Sequence, residues 1–265
     1  MISDKIKEIV MQRKKYIKND LDYMKSIAGK TIRDNRKPLS RVIKENPEVS
    51  IISEIKPASP TLGEIRSNFN VSKLVVEMES AGVIGISVLT EPNYFNGSYE
   101  NLKIAVKNTK LPCLMKDFIV DTVQIMIASQ IGATNILIIN SICNEIDIYE
   151  QVIDNGLEPL IEIHDWKEIQ DIRNLFEIGL KPKLIGVNNR NLRTLDIDLS
   201  TSKEIIPLLK EEFGEKIQIV SESGIKTVDD MNSIKPTGVD AFLIGSSIML
   251  SNNIREKILE LRGIK

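Results

Sequence analysis

The sequence predicts an α/β protein folded as a (β/α)8 TIM barrel behind a helical N-terminal extension, and three observations lead there. Eight short runs rich in Ile, Val and Leu recur along the chain, polar stretches of helical spacing separate them, and 265 residues suit a fold that takes about 250. A doubly wound open sheet is the competing architecture, but the Gly-x-Gly-x-x-Gly turn that usually follows its first strand is missing.

Ahead of the first strand, Ile2, Ile6, Ile9 and Val10 recur at three- and four-residue spacing among lysines and acids, which predicts a helix with one apolar face. A second short helix is expected within 32–48, IRDNRKPLSRVIKENPE. No linker of Gly, Ser or Pro sets this part off, so residues 1–265 read as one barrel domain, of which about 1–48 is an extension packed on the barrel. The strands follow as IISEI from 51, GISVL from 85, LPCLM from 111, NILII from 135, EPLIEI from 158, LIGVN from 184, IQIVS from 217 and AFLIG from 241. Between them, 71–82, 122–133 and 227–234 carry the clearest helical spacing.

Composition narrows the function. With 42% hydrophobic and 27% charged residues the chain has ample material for a core, and 35 basic against 37 acidic side chains leave a net charge of −2. The basic stripe of a nucleic-acid binder is absent, so no nucleic-acid partner is expected. Cys113 and Cys143 stand alone, without the spacing of a zinc site or a disulfide framework, which points to the cytoplasm. No apolar run has the length of a membrane span, and the N-terminus lacks the apolar stretch of a signal peptide.

In such barrels the chemistry sits where strands end in loops, and polar residues gather there. Strand one ends in Glu54 and Lys56, strand three in Lys116, strand five in Glu162, strand six in Asn188 and Arg190, and strand seven in Glu222. Strand alternation turns each of them inward. A single charged strand end is ordinarily just solvated; five strands ending this way imply one polar mouth. Strands seven and eight each run into small residues, SESGI and IGSSIM, whose backbone N–H groups at Gly224, Gly245 and Ser246 suit a phosphate. His164, the only histidine, has the opposite parity to Glu162 and is expected to face away from the mouth in a structural or capping role. By the same parity Cys113 should face the helices, and Trp166 should open the fifth of them.

The motifs SEIKPASPTLGEI, LTEPNYFNGS, LMKDF, LIEIHD, GVNNRNL, VSESGI and LIGSSIM, in this order, resemble the indole-3-glycerol phosphate synthases of tryptophan biosynthesis over about residues 50–250. The resemblance implies a carboxy-lyase that closes 1-(2-carboxyphenylamino)-1-deoxyribulose 5-phosphate to an indole with loss of carbon dioxide and water, using neither metal nor organic cofactor. It implies Lys116, Lys56 and Glu162 as acids and base, oriented by Glu54 and Asn188, with Ser223 also catalytic. Arg190 would hold the anthranilate carboxylate, Phe95 and Phe118 its ring, and Ser59, Pro60, Glu222 and Leu243 the remainder, with Lys56 reaching the phosphate. Other enzymes of the tryptophan pathway are candidate partners. One departure stands out: Thr61 and Leu62 replace the commoner Ser-Lys before Gly63, which removes a loop lysine.

Two neighbouring barrel chemistries do not fit. An orotate nucleotide decarboxylase needs Asp-x-Lys-x-x-Asp, where this chain has Leu114 and Ile119; phosphoribosylanthranilate isomerase would carry a cysteine near the end of strand one. A non-catalytic phosphate-binding barrel, or another phosphosugar enzyme on the same fold, is the remaining alternative.

Overall fold

In the computed structural model, residues 2–27, 36–46 and 48–264 are described. The expected strands form: β1 (Ser50–Ile55), β2 (Gly85–Leu89), β3 (Cys113–Lys116), β4 (Asn135–Ile139), β5 (Glu158–Ile163), β6 (Leu184–Asn188), β7 (Gln218–Glu222) and β8 (Ala241–Ile244). All neighbours pair in parallel, and β1 pairs with both β2 and β8, so the sheet closes into a barrel. β3 begins two residues later than its apolar run suggests, because Pro112 has no N–H to give the ladder; its carbonyl still accepts from Ile86 N at 3.0 Å.

Every strand is buried on both faces, which is why the runs read as continuously apolar. Ile52, Leu114, Leu137, Leu160, Leu184, Val220 and Leu243 fill the barrel interior. The alternate residues, such as Ile51, Val88, Met115, Ile138, Ile161 and Ile219, pack outward beneath the helices. Cys113 lies in this outer layer, as its parity requires, and the other cysteine, Cys143, is likewise buried.

Between the strands run α3 (Val71–Ser80), α4 (Tyr99–Asn108), α5 (Thr122–Ile131), α6 (Ile146–Asp154), α7 (Ile169–Glu177), α8 (Ser200–Phe213) and α9 (Val228–Ile234), and after β8 come α10 (Ser246–Met249) and α11 (Ile254–Leu261). α5 shows how local sequence fixes the limits: Asp121 and Gln124 form a reciprocal cap at its start, and Gly132, at φ 92°, ends it in a left-handed turn. Trp166 opens a single 3-10 turn, Trp166–Glu168, before α7, capped by Asp165 and Glu168.

The extension contains α1 (Asp4–Ile27) and α2 (Leu39–Glu45); the other residues of the expected 32–48 helix include 32–35 and 47, outside the described residues. These helices reach opposite ends of the barrel. At the bottom, Leu39 N donates to Asn135 Oδ1 and Ser40 N to Glu158 Oε2, both acceptors standing at strand starts. At the top, Ser3 N donates to Leu192 O, and Ile6 and Ile9 close one side of the mouth. No described helix is long and apolar enough to cross a membrane.

Candidate active site

A cavity of about 780 Å³ opens at the C-terminal ends of the strands. Glu54, Lys56, Lys116, Glu162, Asn188 and Arg190 line it together with Glu222 and Ser223. Ser59 and Pro60 come from the loop after β1, Phe95 and Phe118 from those after β2 and β3, and Leu243, Gly245 and Ser246 from the end of β8, beside Gly224 after β7. The sequence-predicted site residues therefore all face one space.

The charges are arranged in two connected groups. On β1, Lys56 Nζ lies 2.8 Å from Glu54 Oε1, and the Glu54 carboxylate is almost wholly buried. Deeper in, Lys116 Nζ stands between two carboxylates, 3.3 Å from Glu162 Oε2 and in a short contact with Glu222 Oε2. Burial alone would lower the Lys116 pKa, but the charges of Glu222, Glu162 and Glu54 outweigh it and hold the ammonium above its ordinary value. Room for Glu222 comes from β6: a Cβ on Gly186 would collide with Glu222 Oε1. Gly245 does the same for Glu54 on β1. These two glycines are there to admit carboxylates.

The two carboxylates flanking Lys116 differ. Glu162 has a second cation-capable neighbour, since His164 Nε2 lies 3.0 Å from Glu162 Oε1. Burial pushes Glu162 up, but Lys116 and then His164 more than reverse this, leaving it well below the usual carboxylate range. Glu222 Oε1 is buried with no hydrogen-bond partner, and burial, together with the nearby Glu162 charge, pushes Glu222 up to about 8 in spite of Lys116. The two carboxylates are thus biased in opposite directions, Glu162 toward its ionised form and Glu222 toward its protonated one.

That asymmetry predicts how stability depends on pH. Glu222 binds its proton more tightly folded than unfolded, so its contribution is complete below its ordinary value of 4.5 and is lost as pH rises through about 8. His164, also raised from 6.5, acts with the same sign; Glu162, lowered, costs stability only as pH falls below 4.5. The melting temperature of the free protein should therefore fall by several degrees between about pH 5 and about pH 9, and Glu222→Gln should flatten the decline. Thermal melts across that range check it; an equally steep decline in the variant would show that Glu222 is not the titrating group.

Parity does turn the His164 ring away from the mouth cavity, but the side chain folds back behind Glu162 instead of standing apart from it. Strand alternation describes directions only up to Ile163, where β5 ends.

Several supporting groups were not legible in advance. Glu91 accepts from the backbone N–H groups of Asn93, Tyr94 and Phe95 at 2.7 to 3.1 Å, folding the loop that presents Phe95. Its ring then meets Phe118 at a centroid distance of 6.2 Å. Between Lys116 and Phe118, Asp117 accepts from Arg13 Nε at 2.9 Å and from Thr90 Oγ1 at 2.7 Å, so a fully buried arginine of α1 fixes the backbone between two cavity residues. Sequence offers only a basic residue in a polar helix as its sign. Arg190 Nη1 donates to Leu195 O at 2.8 Å, Asn188 Oδ1 accepts from Arg190 N, and the guanidinium makes no ion pair among the described residues. Ser223 and Gly224, at φ 66° and 87°, turn the chain sharply at the end of β7.

A mouth of acids and bases around Lys56 and Lys116, with Arg190 and the facing rings of Phe95 and Phe118, is a distinctive set, and the comparisons with known proteins agree with it. A sequence model of the indole-3-glycerol phosphate synthases matches residues 1–261. The chain belongs to the indole-3-glycerol phosphate synthase family. It is 43% identical over 258 residues to the indole-3-glycerol phosphate synthase of Methanocaldococcus jannaschii, covering 95% of this chain and 92% of the relative. To that of Acetivibrio thermocellus it is 36% identical over 266 residues, covering 97% and 98%. Among solved structures, a thiamine phosphate pyrophosphorylase from Pyrococcus furiosus (TM-score 0.59, 16% identity, 81% of this chain and 94% of that one) and a 3-hexulose-6-phosphate synthase (TM-score 0.59, 11% identity, 82% and 100%) share the barrel fold. The activity is that of the family, indole-3-glycerol phosphate synthase in tryptophan biosynthesis, a carboxy-lyase.

Proposed function

We propose that the mouth cavity binds 1-(2-carboxyphenylamino)-1-deoxyribulose 5-phosphate with its ring between Phe95 and Phe118, its carboxylate on Arg190 and its phosphate at the turns of Gly224, Gly245 and Ser246. The observation that carries this reading is Lys116, an ammonium held at the centre of the cavity between Glu162 and Glu222. The aromatic carbon attacks the C2′ carbonyl while Lys116 protonates its oxygen. Carbon dioxide then leaves, and its bonding electron pair restores the aromatic ring. Lys56, held by Glu54, protonates the departing hydroxyl, and Glu162 removes the proton that completes the indole. Two protons are delivered and one is taken, so each turnover consumes one proton, as loss of carbon dioxide from a carboxylate requires. Glu222, whose burial favours its protonated form, stands in contact with Lys116 and can return a proton to it. Asn188 steadies Glu162 and the start of the Arg190 segment, Ser223 sets the turn after β7, and Ser59, Pro60 and Leu243 complete the walls.

The whole chain, extension included, is read as one working unit in the cytoplasm, and other tryptophan-pathway enzymes as candidate partners. Mixing the protein with the carboxyphenylamino-deoxyribulose phosphate and following indole fluorescence tests the reaction. Folded protein that yields no signal at high concentration would refute it.

For the phosphate subsite, inorganic phosphate should compete with substrate, raising KM without lowering kcat, because backbone N–H groups recognise any such dianion. Purely noncompetitive inhibition would place the subsite elsewhere. Gly245→Val should do more than raise KM, since its side chain would also displace Glu54.

A further inference from the structure

Two clefts meet back to back at His164. Glu162 lines the mouth cavity but not its neighbour, while His164 lines a second cleft of about 590 Å³ but not the mouth. The contact of Glu162 Oε1 with His164 Nε2, 3.0 Å, lies between them, and Leu192 borders both. The imidazole is 7% exposed, and neither ring nitrogen makes an aligned hydrogen bond. A buried polar ring with its capacity unused, resting against one of two otherwise similar carboxylates, calls for an explanation.

We infer that His164 is the positioning residue that decides which of the two carboxylates beside Lys116 serves as the base, by giving Glu162 a second cationic or N–H-donating neighbour that Glu222 lacks. This rests on reading Glu162 as the base of the reaction. Lys116 contacts both glutamates, Glu222 the more closely, so by itself it does not favour Glu162 as the ionised one. The neighbours of Glu222 supply nothing comparable: its second oxygen faces Gly186 and is unpartnered. Without His164 the proton held in the cluster would be shared between Glu162 and Glu222, and a fraction of molecules would carry it on the wrong carboxylate.

The surroundings of His164 fix the sign. Glu162 on β5 faces Nε2, Glu168 Oε2 lies 3.9 Å from Nδ1, and Glu222 on β7 adds a more distant negative charge. Lys116 on β3 lies beyond Glu162; Asp165, Lys167, Asp171 and Arg193 border the second cleft. Acids thus dominate the near shell. They favour the protonated ring, and above its own titration the neutral ring needs only a small turn to bring Nε2–H into line with Glu162 Oε1, 3.0 Å away. Either form favours the ionised carboxylate, so removing the ring must make Glu162 harder to ionise.

The test is the pH profile of kcat for the whole protein carrying His164→Ala, His164→Gln and, separately, Glu162→Gln. His164→Ala should move the acid limb of kcat upward by about one pH unit or more, lower kcat about tenfold on the acid side of that limb, regain activity at higher pH, and leave KM within about twofold. His164→Gln, which keeps an N–H donor, should fall between it and the parent. Millimolar imidazole, entering the alanine variant from the second cleft, should restore the parent limb. An acid limb that stays at its parent position in both His164 variants overturns the inference, as does a uniform loss that neither higher pH nor imidazole relieves. Should the alanine variant fail to fold, the glutamine variant alone decides, through the position of its limb. Turnover that persists in Glu162→Gln overturns the base reading itself, whatever the His164 variants do; an inactive Glu162→Gln beside unshifted His164 variants overturns only the role of His164.

Discussion

Lys116→Ala should lower kcat by about 10² to 10⁴-fold, equivalent to about 3 to 5 kcal/mol of barrier, with a much smaller change in KM. Among the described residues no other ammonium occupies the centre of the cavity: Lys56 is tied to Glu54 at the β1 edge, and Arg190 is held by its hydrogen bond to Leu195 O. The remaining cavity can still bind the phosphate and carboxylate, which is why affinity should survive. Folding should survive as well. Removing the cation leaves Glu162 and Glu222 facing each other, but Glu222 already favours its proton at neutral pH, so the pair need not carry two bare charges. Steady-state kinetics with a melting curve on the same sample check both statements. A variant retaining most of its turnover would remove Lys116 from the role of acid.

The fold and the site differed in how far they could be read from sequence, for reasons visible in particular residues. Barrel strands are buried on both faces, so each announces itself as an apolar run, and the first polar residue of matching parity at its end had to point into the mouth. Glu54, Lys116, Glu162, Asn188 and Glu222 were placed by that rule alone. What alternation cannot give is the partner. Lys56 was joined to Glu54 because they are two residues apart, whereas the contact of Lys116 with Glu222 links β3 to β7 across the barrel. His164 lies one residue beyond the last β5 position, where direction is set by the turn of Asp165 and Glu168. Arg13 is harder still: its buried pairing with Asp117 spans 104 positions, and its helix otherwise reads as solvated. The ribbon of Ala58–Ser59 with Gly63–Glu64 in the loop after β1 was missed because two-residue strands have no period to detect.

The Glu54 and Lys56 pair supports the second large effect. Glu54→Met with Lys56→Met should give a folded protein at least as stable as the parent, yet one whose kcat is lower by about 10²-fold or more. Two charges lie 2.8 Å apart, with 3% exposure for Glu54 and 16% for Lys56, and burying them costs several kcal/mol that their attraction only partly offsets. Met at both positions would fill similar volume without that cost, and Gly245 already provides the space beside position 54. A sequence selected for stability alone would carry apolar residues here, so the pair is explained by the acid that the dehydration step needs. The single replacements should differ in a definite order. Glu54→Met leaves an ammonium on a long stem that can reach the water of the cavity, whereas Lys56→Met strands a carboxylate with almost no exposure. Lys56→Met should therefore melt lowest, Glu54→Met between, and the double variant at or above the parent, with all three nearly inactive. Melting curves and turnover on the three proteins decide the matter: a double variant that works like the parent, or that unfolds while both single variants stay intact, would make the pair a structural element and leave the second acid to be found elsewhere.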